Sequence, residues 1–420
     1  MIFNSIKEKF IFYDFPVVIF SLLPFFLITG PFLSDLFISV IGLLFLAYCI
    51  KKKSFQYFNN KFFYFFLIFW IYLLLNALIN NFNLDSLKIS FFYFRYGIFV
   101  IAITALLEVD ENFKRYFFYC IFACFFVLIL DGFLQYFSGE NILGWKIQND
   151  GRVSSFFGDE KILGSYLSRL WPIFFGIAIF SINKKGKLFI LLIITFILSE
   201  ALIFLSGDRT AFFFINLSAI FVILFSQKLL RLRLITLLSS FLLLIIISFI
   251  NPNAKERIFD KTLNQMNLVD GKDGFYIFSL QHTHHYITSY KMFLDNKFLG
   301  VGVKNFRNFC SDEKYEVSKF SCSTHPHNTY VQILVETGII GFVFLLIILF
   351  YYLTYVLKHL YLKFKGKYYF TDFEICILSG IAIYLWPFVP TGNIFNNWLN
   401  IAMILNLPFL MWSRRKIKDD

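Results

Sequence analysis

The chain has 420 residues, of which 58% are hydrophobic and only 16% charged, and its mean hydropathy is +0.67. That composition excludes a soluble globular domain and defines an integral membrane protein, since roughly 20 apolar residues cross a bilayer core as one helix. The formal net charge of +12 is then a topology signal with some attraction to anionic lipid, and it is no evidence for nucleic acid.

About twelve apolar segments satisfy the length test. They run Phe15–Thr29, Phe32–Ile50, Phe62–Ile79, Phe91–Leu107, Tyr116–Phe137, Leu163–Ile182, Leu188–Leu205, Thr210–Phe225, Ile235–Ile250, Tyr330–Leu357, Phe373–Pro390 and Phe395–Trp412. If each crosses once, the basic turns at Lys7 and Lys9, Lys51–Lys53, Lys184–Lys187, Lys228–Arg233, Lys358–Lys367 and Arg414–Lys418 all share one face. The positive-inside rule makes that face cytoplasmic, with both termini inside. The first apolar stretch leads straight into others, so no cleavable signal peptide is expected. The expected fold is an all-α polytopic membrane protein. Its parts are helices over 1–250, a large outward loop over 251–329, and a closing set of helices over 330–420.

Up to Arg115 the chain reads as scaffold, apart from Arg95. That cation sits near the outer end of an apolar run, where snorkelling to the interface is expected. Gly151–Pro172 follows, with polar residues and glycines just outside a span, as suits a segment lining a cavity. Arg152 and Arg169 in it are candidate anion contacts, because guanidinium offers a planar fork of donors. Leu205-Ser-Gly-Asp-Arg-Thr-Ala211 then forms a very short outer hairpin that fixes the depth of Arg209. Asp208 beside it is a candidate ion-pair partner.

The outer loop opens on Asn251-Pro-Asn, a helix-ending signal. Arg257, in a charged stretch, reads as solvated. Five of the six histidines (His282, His284, His285, His325 and His327) lie in this loop of roughly 75–80 residues. Gln281–Tyr286 leads into an amphipathic helix on which His282 shares a face with His285 and Tyr286. Cys310 and Cys322, the only two cysteines outside the spans, are expected to pair in an oxidising compartment.

The loop closes on Cys322-Ser-Thr-His-Pro-His-Asn-Thr-Tyr. Asn328 is a helix cap, and His327 sits where water meets lipid, able to move a proton near neutral pH. Glu336, roughly 13 Å further along a regular helix, points away from His327 and is expected to hydrogen-bond within or between helices. Gly338 and Gly341 permit close helix approach.

His327-Asn328 before an apolar helix carrying Glu336-Thr-Gly-Ile-Ile-Gly341 resembles the signature of the O-antigen ligase and polymerase superfamily of bacterial envelope glycosyltransferases. The Arg152 segment, the Ser206–Arg209 hairpin and the loop with Gly300-Val-Gly302 and Phe306 occur in the same order. The resemblance implies a fold similar to GT-C-like membrane glycosyltransferases in the bacterial inner membrane, with the active site facing the periplasm. It implies a polyprenyl-pyrophosphate-linked glycan as donor, and lipid A-core or another glycan as acceptor. It further implies no cofactor and a metal-independent transfer. His327 matches the catalytic histidine, and Arg152 and Arg209 match arginines that hold the donor pyrophosphate. Ligases commonly carry another arginine where this chain has His282; a protonated His282 could still contact phosphate, with His325 nearby. Two other classes compete. A lipid-linked-sugar transporter or flippase would use the intramembrane charges Asp131, Glu200 and Glu374. A metal-binding protein would use the five loop histidines, whose spacing matches no specific zinc pattern.

Overall fold

The computed structural model describes residues 6–80, 83–181, 186–250, 252–268, 276 and 278–419. Asn251, Lys184 and Lys185, named above, lie outside the described residues. The chain is all-α, with no β-strand among the described residues. The helices that carry the argument are α1 (Phe15–Ser21), α2 (Leu23–Ile28), α3 (Pro31–Lys52), α4 (Lys61–Ile79), α5 (Leu84–Phe92), α6 (Phe94–Val109), α7 (Lys114–Ser138) and α8 (Leu163–Ser181). They continue with α9 (Lys187–Leu205), α10 (Arg209–Phe225), α11 (Leu230–Ile250), α12 (Leu280–Asp295), α13 (Thr329–Phe364), α14 (Asp372–Leu385), α15 (Asn397–Ile404) and α16 (Asn406–Asp419).

Among the described residues, eight helical stretches are long and apolar enough to cross a membrane, so the chain is a multi-pass membrane protein. The expected number was about twelve. All twelve apolar segments are helical in their bulk, but α10 is only 17 residues long and α14 only 14, and two others are interrupted. The first breaks between α1 and α2, where Pro24 begins a new helix and cannot continue the old hydrogen-bond ladder. The last breaks at Leu405, between α15 and α16.

Polar caps set the starts. Asn60, Asn83, Asp208, Ser279, Asn328 and Asn396 each accept a hydrogen bond from a backbone N–H of the first turn they precede. Thr371 and Glu374 form a reciprocal capping box on α14. Inside the bundle, α8, α10 and α14 pack on one another. The apolar stretch of α8 is 89% buried against 17% for α4, which makes α8 central and α4 peripheral.

One break decides where the site goes. Within α13, Gly338 has φ 64° and ψ −170°, a conformation essentially confined to glycine, so Thr329–Thr337 and Ile339–Phe364 are two helices meeting at a kink. The carbonyls and amides freed there pair with the chain after α12. Val301 N–H donates to Val335 O, Gly302 N–H to Glu336 O, and Ile339 N–H to Lys297 O (2.8–2.9 Å). The Tyr72 hydroxyl donates to Thr337 O, and Asn76 Nδ2 to Leu299 O at 2.5 Å. A Cβ on Gly300 would lie 2.6 Å from the Glu336 carbonyl carbon, and one on Gly338 would lie 2.2 Å from Phe298 O. The two glycines thus serve loop-to-helix contact, whereas close approach between helices was expected of Gly338.

Arg95 also differs from expectation. It does not snorkel; Nε and Nη2 donate to Asp35 Oδ1 at 2.8 and 2.7 Å, Nη1 to Phe92 O, and Nη2 to Tyr96 Oη. A carboxylate across the helix interface satisfies the guanidinium at lower cost than a path to water.

Substituting Gly338→Ala should lower the thermal unfolding midpoint more than Gly366→Ala does. Gly366 also has a positive φ (69°) but open space around it, so it isolates backbone strain. The clash at Gly338 adds about 1–3 kcal/mol, read by fluorescence-detected gel filtration after heating; equal shifts for both variants would contradict the clamp.

Candidate active site

The site is assembled from two ends of the large loop and a hairpin. In the hairpin, Asp208 Oδ1 accepts from Ala211 N–H and caps α10 (3.1 Å). Asp208 was the candidate partner of Arg209; Arg209 instead donates from Nη1 to Gln265 Oε1 (2.7 Å) and Thr262 Oγ1 (3.3 Å). Arg152 is buried and donates from Nε to Ser206 O at 2.6 Å, while Val153 N–H donates to Leu205 O. The Arg152 segment is therefore bolted to the hairpin through its backbone.

Arg257 contradicts its reading as a solvated residue. Its Nε donates to Gly207 O at 3.1 Å, and Nη1 lies 3.4 Å from Asp150 Oδ2. Gly207, with φ 61°, has Arg257 and Arg152 on the side where a Cβ would be. Three guanidiniums thus surround one turn, facing the carboxylates of Asp150 and Asp208. Burial pushes the Arg152 pKa down, and Arg257 and Arg209 add to that by repulsion. Such an excess of fixed cations favours a phosphate or pyrophosphate.

The imidazole cluster comes within reach of this turn at His282, which feels the Arg209 charge. On α12, Ser279 caps the helix and its Oγ lies 2.9 Å from His282 Nδ1. His282 and His285 share the face turned to His327, with ring centroids 5.5 and 5.4 Å from it. His325 is 4.1 Å from His327 between ring centroids. Both nitrogens of His325 are engaged, Nδ1 with Thr324 Oγ1 (2.9 Å) and Nε2 with Thr391 O (3.2 Å), so it supports the site more than it contacts a ligand. Among the described residues, His327 Nε2 lies 3.0 Å from Ser323 Oγ and Nδ1 has no partner.

His327 is held in the left-handed region at φ 59°, which costs a non-glycine residue free energy and persists only when the surroundings dictate it. Thr391 N–H donates to His327 O at 2.8 Å. Asn328 Oδ1 caps α13 by accepting from Tyr330 and Val331 N–H, and its Nδ2 donates to Pro387 O. The segment after α14 thus holds the His327 carbonyl and the Asn328 side chain, and with them the backbone that presents the imidazole. Glu336 accepts from Gln332 Nε2 (3.0 Å) and Phe306 N–H (3.4 Å), roles inside the loop clamp and not toward His327. Cys310 and Cys322 are joined by a disulfide with Cα atoms 5.0 Å apart, closing the loop just before His325.

Burial pushes His282 and His285 down to about 4 and His325 to about 3, with mutual repulsion from the His327 imidazole as the next cause; burial also lowers His327. The Arg209 guanidinium further disfavours a charged His282. His282 as a protonated phosphate ligand is therefore disfavoured at neutral pH, and the cluster is neutral. Among the described residues, no three His, Cys, Asp or Glu side chains converge as they would around a metal ion.

Folded pKa values below the unfolded 6.5 mean that the unfolded chain binds more protons as pH falls. The stability contributed by neutral His282 and His285 is full above about 6.5 and is lost as pH falls toward about 4. Hydrogen exchange over residues 280–295 should accelerate across that window after correction for intrinsic rates. His282→Gln with His285→Gln should flatten the trend.

Arg257, Ser323, Gln265 and Thr391 were missed from sequence, because nothing in their local pattern distinguishes them from surface or turn residues. No curated protein matches the chain. Residues 192–346 match the family model described as O-antigen ligase, a span that includes Arg209, Arg257 and all five loop histidines but not Arg152. The matched stretch is 155 of the 420 residues, and over it the chain is similar to the O-antigen ligase family.

Proposed function

We propose that the protein is an O-antigen ligase-type glycosyltransferase that moves a glycan from a polyprenyl pyrophosphate to a sugar hydroxyl of lipid A-core. The carrying observation is the juxtaposition of a neutral imidazole cluster with a turn ringed by three guanidiniums, linked where His282 feels Arg209. In this reading the loop end faces the periplasm of a bacterial inner membrane. The chain then divides functionally into 1–250, 251–329 and 330–420.

The acceptor hydroxyl loses its proton to His327 Nδ1, while Nε2–H donates to Ser323 Oγ and fixes the tautomer. The acceptor oxygen forms a bond to the anomeric carbon as that carbon's bond to the pyrophosphate oxygen breaks. The leaving polyprenyl pyrophosphate keeps the electron pair, and Arg152, Arg209 and Arg257 stabilise its charge. Guanidinium groups thereby do what a divalent cation does elsewhere, so the transfer runs without a metal and withstands a chelator. A polymerase would use the same steps with a second lipid-linked glycan as acceptor.

His327→Ala should lower transfer in reconstituted vesicles by roughly 10²–10⁴-fold with normal insertion and gel-filtration behaviour. Near-normal turnover would remove the base. Arg257→Ala should lower kcat with the lipid-linked glycan as well as raise its KM, because the guanidinium meets the pyrophosphate both bound and departing. Supplying lipid A-core or lipid-linked glycan as sole acceptor separates ligase from polymerase.

A further inference from the structure

A second cleft, of about 410 Å³, lies at the loop end between the start of α3, α5, the start of α6 and the segment entering α15. It is distinct from the arginine turn, and nothing in the transfer chemistry uses it. Its wall is mixed. Phe32, Leu36 and Phe92 are 74%, 42% and 51% exposed along it, and Asp35, Lys88 and Arg95 supply its charge.

The charges are arranged unevenly. Asp35 is neutralised by two donors from Arg95, which also donates to Phe92 O and the Tyr96 hydroxyl. Arg95 is thus part of the wall. Lys88 is exposed at the cleft and, among the described residues, has no carboxylate within ion-pair distance. The cleft therefore carries one uncompensated cation. Asp35 and Ser39 lie one to two turns along α3 from Pro31, roughly 6–12 Å below the loop end. At that depth phosphate headgroups give way to acyl chains.

We propose that this cleft binds the phosphate-bearing headgroup of an anionic membrane lipid from the leaflet on the loop side. Lys88 contacts the phosphate, the Arg95–Asp35 pair holds the wall, and the first methylenes of the chains lie on Phe32, Leu36 and Phe92. Charge complementarity selects this occupant over a zwitterionic lipid, whose own cation would meet Lys88. The assignment does not rest on the transferase reading, because it concerns equilibrium binding at a separate place.

The full-length protein, in nanodiscs of equal phosphatidylglycerol and phosphatidylcholine, is released into mild detergent and its retained lipids are counted by native mass spectrometry. The wild type should retain phosphatidylglycerol preferentially. Lys88→Glu should cut that retention by about five-fold or more, the worth of a basic residue beside an anionic headgroup. Leu36→Trp, which fills the cleft without changing charge, should also remove the lipid, whereas Lys297→Glu, elsewhere at the loop end, should not. Absence of preference in the wild type, or equal losses in Lys88→Glu and Lys297→Glu, overturns the site. Glycan transfer measured on the same variants is a separate readout, so failure here leaves the transferase reading to its own test.

Discussion

The meeting of Gly300 with the break at Gly338 is the constraint from which the rest of the site follows. A membrane helix of 36 residues with its ladder intact would present Asn328 and His327 at whatever height its length dictated. The kink decouples the two halves. Thr329–Thr337 is positioned by backbone bonds to the loop after α12, while Ile339–Phe364 runs on through the apolar layer. Because those bonds run between main chains, no side-chain motion can release them. The same contact ties α12, which carries His282 and His285, to the helix that Asn328 caps. Two parts of the imidazole cluster thus share one anchor.

Electrostatics then divides the labour. The guanidiniums of Arg152 and Arg257 are pinned to the carbonyls of Ser206 and Gly207, so their charge cannot drift to meet the imidazoles. The imidazoles, buried beside one another, stay neutral near pH 7. In the proposed transfer, a neutral base near fixed cations is the combination that a departing pyrophosphate and a hydroxyl proton would both need. A carboxylate base in the same place would be drawn into ion pairs with those arginines and lose its basicity.

Much of this was legible from the chain. Apolar length gave the membrane segments, and the short hairpin fixed Arg209 because a four-residue turn leaves little freedom. His327 before Asn328 read as the start of a helix because Asn is a cap wherever an apolar run follows. What escaped is long-range. Arg257 reaches Gly207 across 50 positions and Arg95 reaches Asp35 across 60, and neither pairing leaves a local pattern. The kink at Gly338 escaped for another reason. A glycine pair such as Gly338-Ile-Ile-Gly341 in an apolar helix has two outcomes, helix packing and helix breaking, and only the loop that fills the break distinguishes them. Apolar length also does not report where a helix is short or broken, as at Pro24 and Leu405.

The charges inside the apolar layer bear on what kind of machine this is. Arg233 lies 2.6 Å from Glu200 and over the Trp171 ring, fully buried. Asp131 accepts from Ser155, Asn141 and the Ile142 N–H, and so holds the turn after α7. Glu374 closes a capping box, and Arg169 rests between the rings of Phe214 and Tyr384 with Nε on Ser165. Each is compensated by a neighbour on another turn or helix, and moving any of them would strand its partner in a low-dielectric interior. A carrier that moves a charged solute needs at least one such group free to exchange partners. Here the surplus cations stand at the loop end, pinned to backbone, where an anion can arrive and leave without crossing the bundle. That asymmetry favours chemistry at a surface over transport through the core.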